Sequence, residues 1–398
     1  MSMKKQIFLF LMLGGLLLTG CGQNNNGGNS GNDGIEDLGT KDFHTDLMKN
    51  YLADTWDSIL TYVPYVSADS NSSSHKDEML GDVSQPNAIK LEFDEVADAD
   101  NYVVQIAKNK EFTDSKQVEV TNKYYNFYNS ELGQEYYFRA AVSEDALAQA
   151  KVRKFKVNDA APRNIHVDGV INFRDVGGWS SSLVQGAKIK QGLYYRCAQF
   201  NSGRTTNITA DGKAAIKELG IKVDIDMRDS YNVPDESPAK SEDWDVEIFK
   251  GSVASSTEDW RWEGKNGSDT SIAQTYKKIF EAIAVADEKP IALHCTHGAD
   301  RTGIVSYFLL GLLGASKEDC SRDYVMTRFA GERSVLPYVD TTRNSRCEIA
   351  QWNQKTEALE GATFADKTYK HLHDDFGIED NTLETIREKF VPGYTRAA

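Results

Sequence analysis

The chain has 398 residues, more than one ordinary domain of roughly 100–200 residues holds, so two or three modules are expected. Hydrophobic residues make up 40%, aromatics 10% and charged residues 26%, a globular balance that excludes a disordered chain. A net charge of −15 argues against nucleic acid as a partner, and any anion must be gathered by local positive charge or backbone N–H groups against the overall field.

Lys4 and Lys5 precede an apolar run from Ile7 to Leu18, which is broken by Gly14 and Gly15 and too short to span a bilayer as a stable helix. Residues 1–20 therefore read as a cleaved signal segment. The run ends in Leu18-Thr19-Gly20-Cys21, which resembles the lipobox of bacterial lipoproteins. That resemblance implies lipidation of Cys21 and a protein anchored in the cell membrane, facing outside the cytoplasm. Residues 21–34 are nearly all Asn, Gly, Ser, Gln and Asp, a composition for a flexible tether. Residues 35–82 read as a helix and a linker. Met48, Leu52, Trp56, Ile59 and Val63 fall near helical spacing, with Thr45 or Asp46 as N-cap, Pro64 as stop, and a polar run from Asp69 to Ser74 beyond.

Residues 83–160 change to period two: Ile89-Leu91-Phe93, Tyr102-Val104-Ile106, Val118-Val120, Tyr136-Phe138-Ala140, then Val152, Phe155 and Val157. Short strands without intervening helices predict an all-β, antiparallel sandwich of immunoglobulin type. The segment resembles a fibronectin type III domain in Asp100-Asn101-Tyr102-Val103-Val104 and in Leu132-Gly133 followed by Tyr136 to Ala140, which matches a tyrosine corner and its strand. Phe93 stands where that family places its core tryptophan. The resemblance implies a ligand-binding or adhesion module, or a spacer beside the next domain.

Residues 161–398 alternate strands with helices: strands Ile221 to Met227 and Pro290 to His294, helices Ile272 to Ala286, Thr302 to Leu313 and Lys317 to Phe329. The pattern predicts an α/β domain, a parallel-rich sheet flanked by helices with ligands at the carboxyl ends of its strands. Within it lies His294-Cys295-Thr296-His297-Gly298-Ala299-Asp300-Arg301-Thr302-Gly303. An apolar strand runs into Cys295 and an apolar helix leaves Thr302, the geometry that turns backbone N–H groups and a helix N-terminus onto one anion. The helix end and Arg301 favour a thiolate at Cys295, a nucleophile at neutral pH. Arg301 offers a planar fork to two phosphate oxygens. Thr302 offers a hydroxyl to the sulfur, Gly298 lets the backbone approach a phosphate, and Thr296, His297 and Ala299 complete the loop.

This loop resembles the signature of cysteine-dependent protein tyrosine phosphatases. Asn172-Phe173-Arg174-Asp175-Val176-Gly177-Gly178, Gly192-Leu193-Tyr194-Tyr195-Arg196-Cys197, Asp226-Met227-Arg228 and the C-terminal stretch from Tyr369 to Phe390 narrow it to the bacterial secreted tyrosine and lipid phosphatases. The resemblance covers roughly residues 163–391. It implies that Cys295 is the nucleophile and Arg301 the phosphate clamp, and that the reaction is phosphomonoester hydrolysis through a cysteinyl-phosphate, with protein phosphotyrosine as first substrate. Asp300, in an Asp-Arg-Thr context matching the family, and Asp226, at a strand end, are the two candidates for the general acid; a loop cap and a salt bridge to Arg228 are their structural alternatives. Arg174 and Arg228 hold substrate or brace the loop.

Family members acting on phosphoinositides tend to carry Lys where Ala299 stands, so the resemblance favours a singly phosphorylated ester over an inositol phosphate, the second reading. A silent phospho-binding or adhesive surface lipoprotein is the third. Of five cysteines, Cys197, Cys320 and Cys347 remain after Cys21 and Cys295, enough for one disulfide at most; they read as structural thiols. No spacing suits a metal site, and neither metal nor cofactor is expected.

Overall fold

In the computed structural model, which describes residues 34–53, 85–97, 99–200, 207–228, 247–250, 271–330 and 348–396, the period-two stretch builds two sheets around one core. Its elements in order are β1 (Glu36–Lys41), α1 (Asp46–Ala53), β2 (Ile89–Glu92), β3 (Tyr102–Ala107), β4 (Lys116–Val120), β5 (Tyr124–Phe127), β6 (Glu135–Ala141) and β7 (Arg153–Val157). Five strands run β1-β7-β6-β3-β4, and β2 pairs with β5 apart from them. Alternation sends Ile89, Leu91, Val104, Phe127, Phe138, Phe155 and Val157 into the shared core.

The expected helix and linker at residues 35–82 needs correction at its start. β1 lies parallel to β7 at the edge of the five-stranded sheet, held by main-chain bonds such as Glu36 N to the Val152 carbonyl at 3.0 Å. Its residues, Glu-Asp-Leu-Gly-Thr-Lys, bring one large apolar side chain, so periodicity could not reveal it. The helix is present from Asp46 to Ala53. Thr45 is its cap, its hydroxyl accepting from Met48 N at 3.2 Å. Residues 54–63, the rest of the expected helix, lie outside the described residues, as do the signal segment, most of the tether, Cys21, Cys347 and the stretch from Ser252 to Thr270.

The α/β part continues with β8 (Arg163–Asn164), β9 (Arg174–Asp175), β10 (Tyr194–Cys197), α2 (Ala210–Glu218), β11 (Val223–Asp226), β12 (Glu247–Lys250), α3 (Ser271–Ile283), β13 (Ile291–His294), α4 (Asp300–Leu312), α5 (Lys317–Val325), α6 (Glu348–Ala358), α7 (Phe364–Asp374) and α8 (Asp380–Phe390). The sheet order is β12-β11-β13-β10-β9-β8. The first four strands are mutually parallel, whereas β9 and β8 turn antiparallel at the edge. Those two-residue strands are too short to show a period. The expected helix from Lys317 to Phe329 ends at Val325 and tightens into a 3-10 turn over Met326–Ala330.

α4 is buried at every residue after Asp300, the condition of a helix apolar on all faces. It sits in the larger core with Ile225 and Leu293 of the sheet, Phe376 between α7 and α8, and Leu383 and Ile386 of α8. Met48 and Tyr51 of α1 belong to this same core, so the segment that begins in one module ends inside the other. Among the described residues no helix is long and apolar enough to cross a membrane.

Polar contacts join the modules. Arg163, buried, donates through Nε to the Ser130 carbonyl at 3.0 Å, through Nη2 to the Asn129 carbonyl at 2.7 Å and through Nη1 to Asp175 at 2.9 Å. Asp175 also accepts from Gly177 N at 2.8 Å and Gly192 N at 2.6 Å, tying β9 to the turn before β10. Removing the carboxylate would strand a buried guanidinium. Asp175→Ala is expected to cost about 3–5 kcal/mol, measured as a lower denaturant midpoint, while Asp159→Ala at the surface leaves the midpoint in place.

Candidate active site

β13 lies between β11 and β10, with His294 opposite Asp226 on one side and Cys197 on the other. Cys295 is therefore the first residue past the carboxyl edge of the sheet's middle strand, where crossing loops leave a crevice. The loop from Cys295 to Ala299 reverses at once into α4. Its turn needs Gly298, whose φ is +67° and where a Cβ would stand 2.3 Å from the Cys197 carbonyl oxygen. Ala299 precedes the helix and makes no side-chain cap, so the first-turn N–H groups of α4 remain for a ligand.

The loop is tied from behind through its carbonyls. Asn172, itself in the left-handed region at φ +58°, donates through Nδ2 to the His297 carbonyl at 3.0 Å and the Gly298 carbonyl at 3.2 Å. Arg196 Nη2 donates to the same Gly298 carbonyl at 2.7 Å. In a trans peptide the N–H points opposite to the carbonyl, so these bonds turn the N–H groups of Gly298 and Ala299 away from Asn172 and Arg196, toward the loop's interior. Arg174 donates to Asn172 Oδ1 and is buried, the position of a brace for the loop.

Cys295 is 4% exposed. Burial pushes its thiol up, but the Arg301 charge and the hydroxyl and N–H of Thr302 outweigh that, and the net direction is below the ordinary 9.0. The Thr302 hydroxyl is fully buried with no hydrogen-bond partner, and its nearness to the sulfur is one cause of the lowered thiol pKa. Arg301 is aimed by bonds from Nη1 to the Met227 carbonyl at 2.9 Å and from Nη2 to Thr296 Oγ1 at 3.4 Å. Cys197 and Cys320 are free and buried, and burial raises both thiols well above the ordinary range.

Beneath the cysteine lies a charged layer that sequence reading did not foresee. His294 Nε2 is 3.0 Å from Asp224 and its Nδ1 3.8 Å from Asp226. Burial lowers the imidazole pKa, yet Asp224 and Asp226 overcome it and raise it to about 9, so His294 is an imidazolium at neutral pH. Asp226 in turn takes Arg228 through Nε at 2.9 Å and Nη2 at 2.8 Å, and Arg228 Nη1 reaches Gln199 at 3.1 Å. Burial raises the Asp226 carboxyl, but His294 and Arg228 bring it below its ordinary value.

Those bonds bear on the two acid candidates. Asp226 is bound face to face with a guanidinium and favoured as the anion, the state of a structural carboxylate, which weighs against it as a proton donor. Arg228 is a brace for it. Asp300, at the first turn of α4 and half-buried, is the carboxyl that the loop itself carries next to Arg301. His297 is exposed. Among the described residues no group of three or more His, Cys, Asp or Glu is placed to hold a metal ion.

Two outcomes follow from this geometry. The rate at which iodoacetamide alkylates Cys295, read by mass spectrometry, should titrate with a midpoint below 9.0, and Thr302→Val or Arg301→Ala should move the midpoint up. For His294, a folded pKa raised from 6.5 to about 9 gives stability that is complete below pH 6.5 and lost as the pH rises through 9. His294→Gln should flatten that part of a stability-against-pH curve; an unchanged slope would contradict the assignment.

Comparison with known proteins bears on the same region. The model described as the tyrosine phosphatase family matches residues 165–392. A tyrosine-protein phosphatase of Nostoc commune is 27% identical over 205 residues, covering 47% of this chain and 66% of its own length. A putative tyrosine-protein phosphatase of Cupriavidus necator is 26% identical over 172 residues, covering 40% and 60%. The chain thus spans somewhat less than two thirds of the curated relatives it matches. Among solved structures, P. aeruginosa TpbA in complex with pTyr is similar at 14% identity and a TM-score of 0.26, covering 43% of this chain and 96% of that one. The Siw14 catalytic core is similar at 15% identity and a TM-score of 0.27, covering 49% and 96%. With the family model matched over more than half of its length, and with every residue of the cysteine loop inside the match, the chain belongs to the tyrosine phosphatase family.

Proposed function

We propose that the protein hydrolyses phosphomonoesters, protein phosphotyrosine first, through a cysteinyl-phosphate, and does so at the cell surface on a lipid anchor at Cys21. The observation that carries the reading is the Cys295 thiol, held below its ordinary pKa inside a loop whose carbonyls are tied outward. The thiolate attacks phosphorus in line; the bond from phosphorus to the ester oxygen breaks, and Asp300 gives the leaving oxygen its proton. The transferred charge rests on the loop's N–H groups and the Arg301 fork. Water then attacks phosphorus, losing its proton to Asp300, and the sulfur departs as a thiolate that the Thr302 hydroxyl stabilises.

The substrate preference rests on position 299. Ala299 is buried at the helix start and adds no cation, so a crowded inositol phosphate gains no extra charge-assisted contact there. The N-terminal sheets support a fibronectin type III module: the four-strand order β7-β6-β3-β4 faces the β2-β5 pair, and the Tyr136 hydroxyl accepts from Glu131 N at 2.9 Å, the bond of a tyrosine corner. Phe93 packs on Tyr102 with ring centroids 5.1 Å apart, at the edge of that module's core. Its place between tether and phosphatase suits a spacer that stands the site off the membrane.

Phosphate release by the full chain should be followed on a phosphotyrosine peptide, a phosphoserine peptide, phosphoinositides and inositol hexakisphosphate, with chelator present and Cys295→Ser alongside. Release that is fastest from phosphotyrosine and abolished in Cys295→Ser is expected. Preference for the inositol substrates would overturn the substrate assignment, and no release from any substrate by folded protein would overturn the enzyme reading.

A further inference from the structure

Asp323 is fully buried on α5, and nothing in the reaction itself uses it. It nonetheless gathers both guanidiniums that stand behind the phosphate loop. Its Oδ1 accepts from Arg174 Nε at 2.7 Å, its carbonyl accepts from Arg174 Nη2 at 2.5 Å, and its Oδ2 accepts from Arg196 Nη1. Each arginine then passes the restraint on. Arg196 donates to the Gly298 carbonyl, and Arg174 holds Asn172, which donates to the His297 and Gly298 carbonyls. One carboxylate thus fixes both routes by which the loop's carbonyls are turned outward.

The charges make this arrangement depend on Asp323. Burial and the neighbouring Arg196 both push the Arg174 pKa down, to about 10, against the attraction of Asp323. Burial raises the Asp323 carboxyl, and the two arginines more than reverse it. Two buried cations side by side are tolerable only with an anion between them.

α5 is itself held from outside the matched family region. Tyr51 of α1, fully buried, donates its hydroxyl to the Arg322 carbonyl at 2.9 Å, and Arg322 Nη1 returns a bond to the Tyr51 carbonyl at 2.9 Å. The Arg322 guanidinium lies 5.7 Å from the Tyr51 ring, and that ring meets Phe329 edge-on at 5.1 Å. The residue held by these contacts is the immediate neighbour of Asp323.

We propose that Asp323 is the positioning residue that fixes the phosphate loop, and that Tyr51, upstream of residues 165–392, holds Asp323 in register. The inference rests on the reading of this loop as the catalytic one. It makes the N-terminal helix, which follows directly from the edge strand of the other module, part of the catalytic support.

The test uses the full chain carrying Asp323→Asn, Asp323→Glu, Tyr51→Phe or Tyr51→Ala. It reads kcat and KM on a phosphotyrosine peptide, the pH midpoint of Cys295 alkylation, and the thermal transition. Displacing a catalytic loop by about 1 Å can cost about 100-fold in rate. Asp323→Asn should lose kcat on that order with a smaller change in KM, and its alkylation midpoint should rise. Asp323→Glu, which keeps the charge, should recover part of the loss. Tyr51→Ala should move both readouts the same way, and Tyr51→Phe by less. A folded Asp323→Asn with the parent kcat and alkylation midpoint would overturn the proposal. Should Asp323→Asn fail to fold, Tyr51→Ala decides by the same two readouts, its parent values overturning and its shifted values supporting. An inactive parent chain would count against the functional reading, and the alkylation midpoint would still decide whether Asp323 places the loop.

Discussion

A loop that gathers an anion on its own N–H groups must send its carbonyls the other way, and in a buried site those carbonyls need donors. Asn172 and Arg196 supply them here, at His297 and Gly298, and the rest of the site depends on that arrangement. Gly298 permits the turn because no side chain could fit against Cys197. Asn172 can reach because it adopts a left-handed backbone that Asn tolerates better than most residues. The short antiparallel strands β8 and β9 bring the Asn172 segment alongside β10, whose Arg196 is the second donor. The sheet edge and the loop are therefore one construction.

Charge is layered about this loop so that a strongly acidic chain can still receive an anion. Arg301 faces the cysteine, His294 as an imidazolium lies beneath it, and Arg174 and Arg196 stand behind. Among these, His294 is paired with Asp224 and Asp226, and the two arginines behind the loop are paired with Asp323. Those pairs hold geometry, since mutual neutralisation leaves little field at the loop. Arg301 is oriented in part by the Met227 carbonyl and the Thr296 hydroxyl. The paired ions thus brace the protein behind and beneath the loop.

Much of this was legible in the residues. The strand, loop and helix around Cys295 could be read because an apolar run, a glycine and a second apolar run leave few alternatives, and the parallel strands at Val223 and Ile291 followed from their alternation with helices. β1 was not legible, since a polar edge strand is held by backbone bonds that carry no side-chain signature. Spacing leaves Asp226 open between proton donor and salt bridge, and its contacts with Arg228 and His294, which only the fold shows, weigh toward the salt bridge. Asp323 and Tyr51 gave no signal at all. Asp323 sits among polar residues of a helix whose sequence reads as a solvated face, and only the fold shows that it is buried between two arginines. Arg196 and Asn172 lay within recognised motifs, yet their hydrogen-bond partners are set by long-range packing that spacing cannot express.

Transfer of the phosphoryl group to the Cys295 sulfur can be caught by acid-quenching the full chain during turnover of a phosphotyrosine peptide and mapping phosphate by mass spectrometry. A phosphoryl group is expected on the peptide that carries Cys295, absent before substrate is added and gone once substrate is exhausted. Sustained turnover with no phosphoryl group on Cys295 at any time, or with the group on another residue, would contradict that transfer.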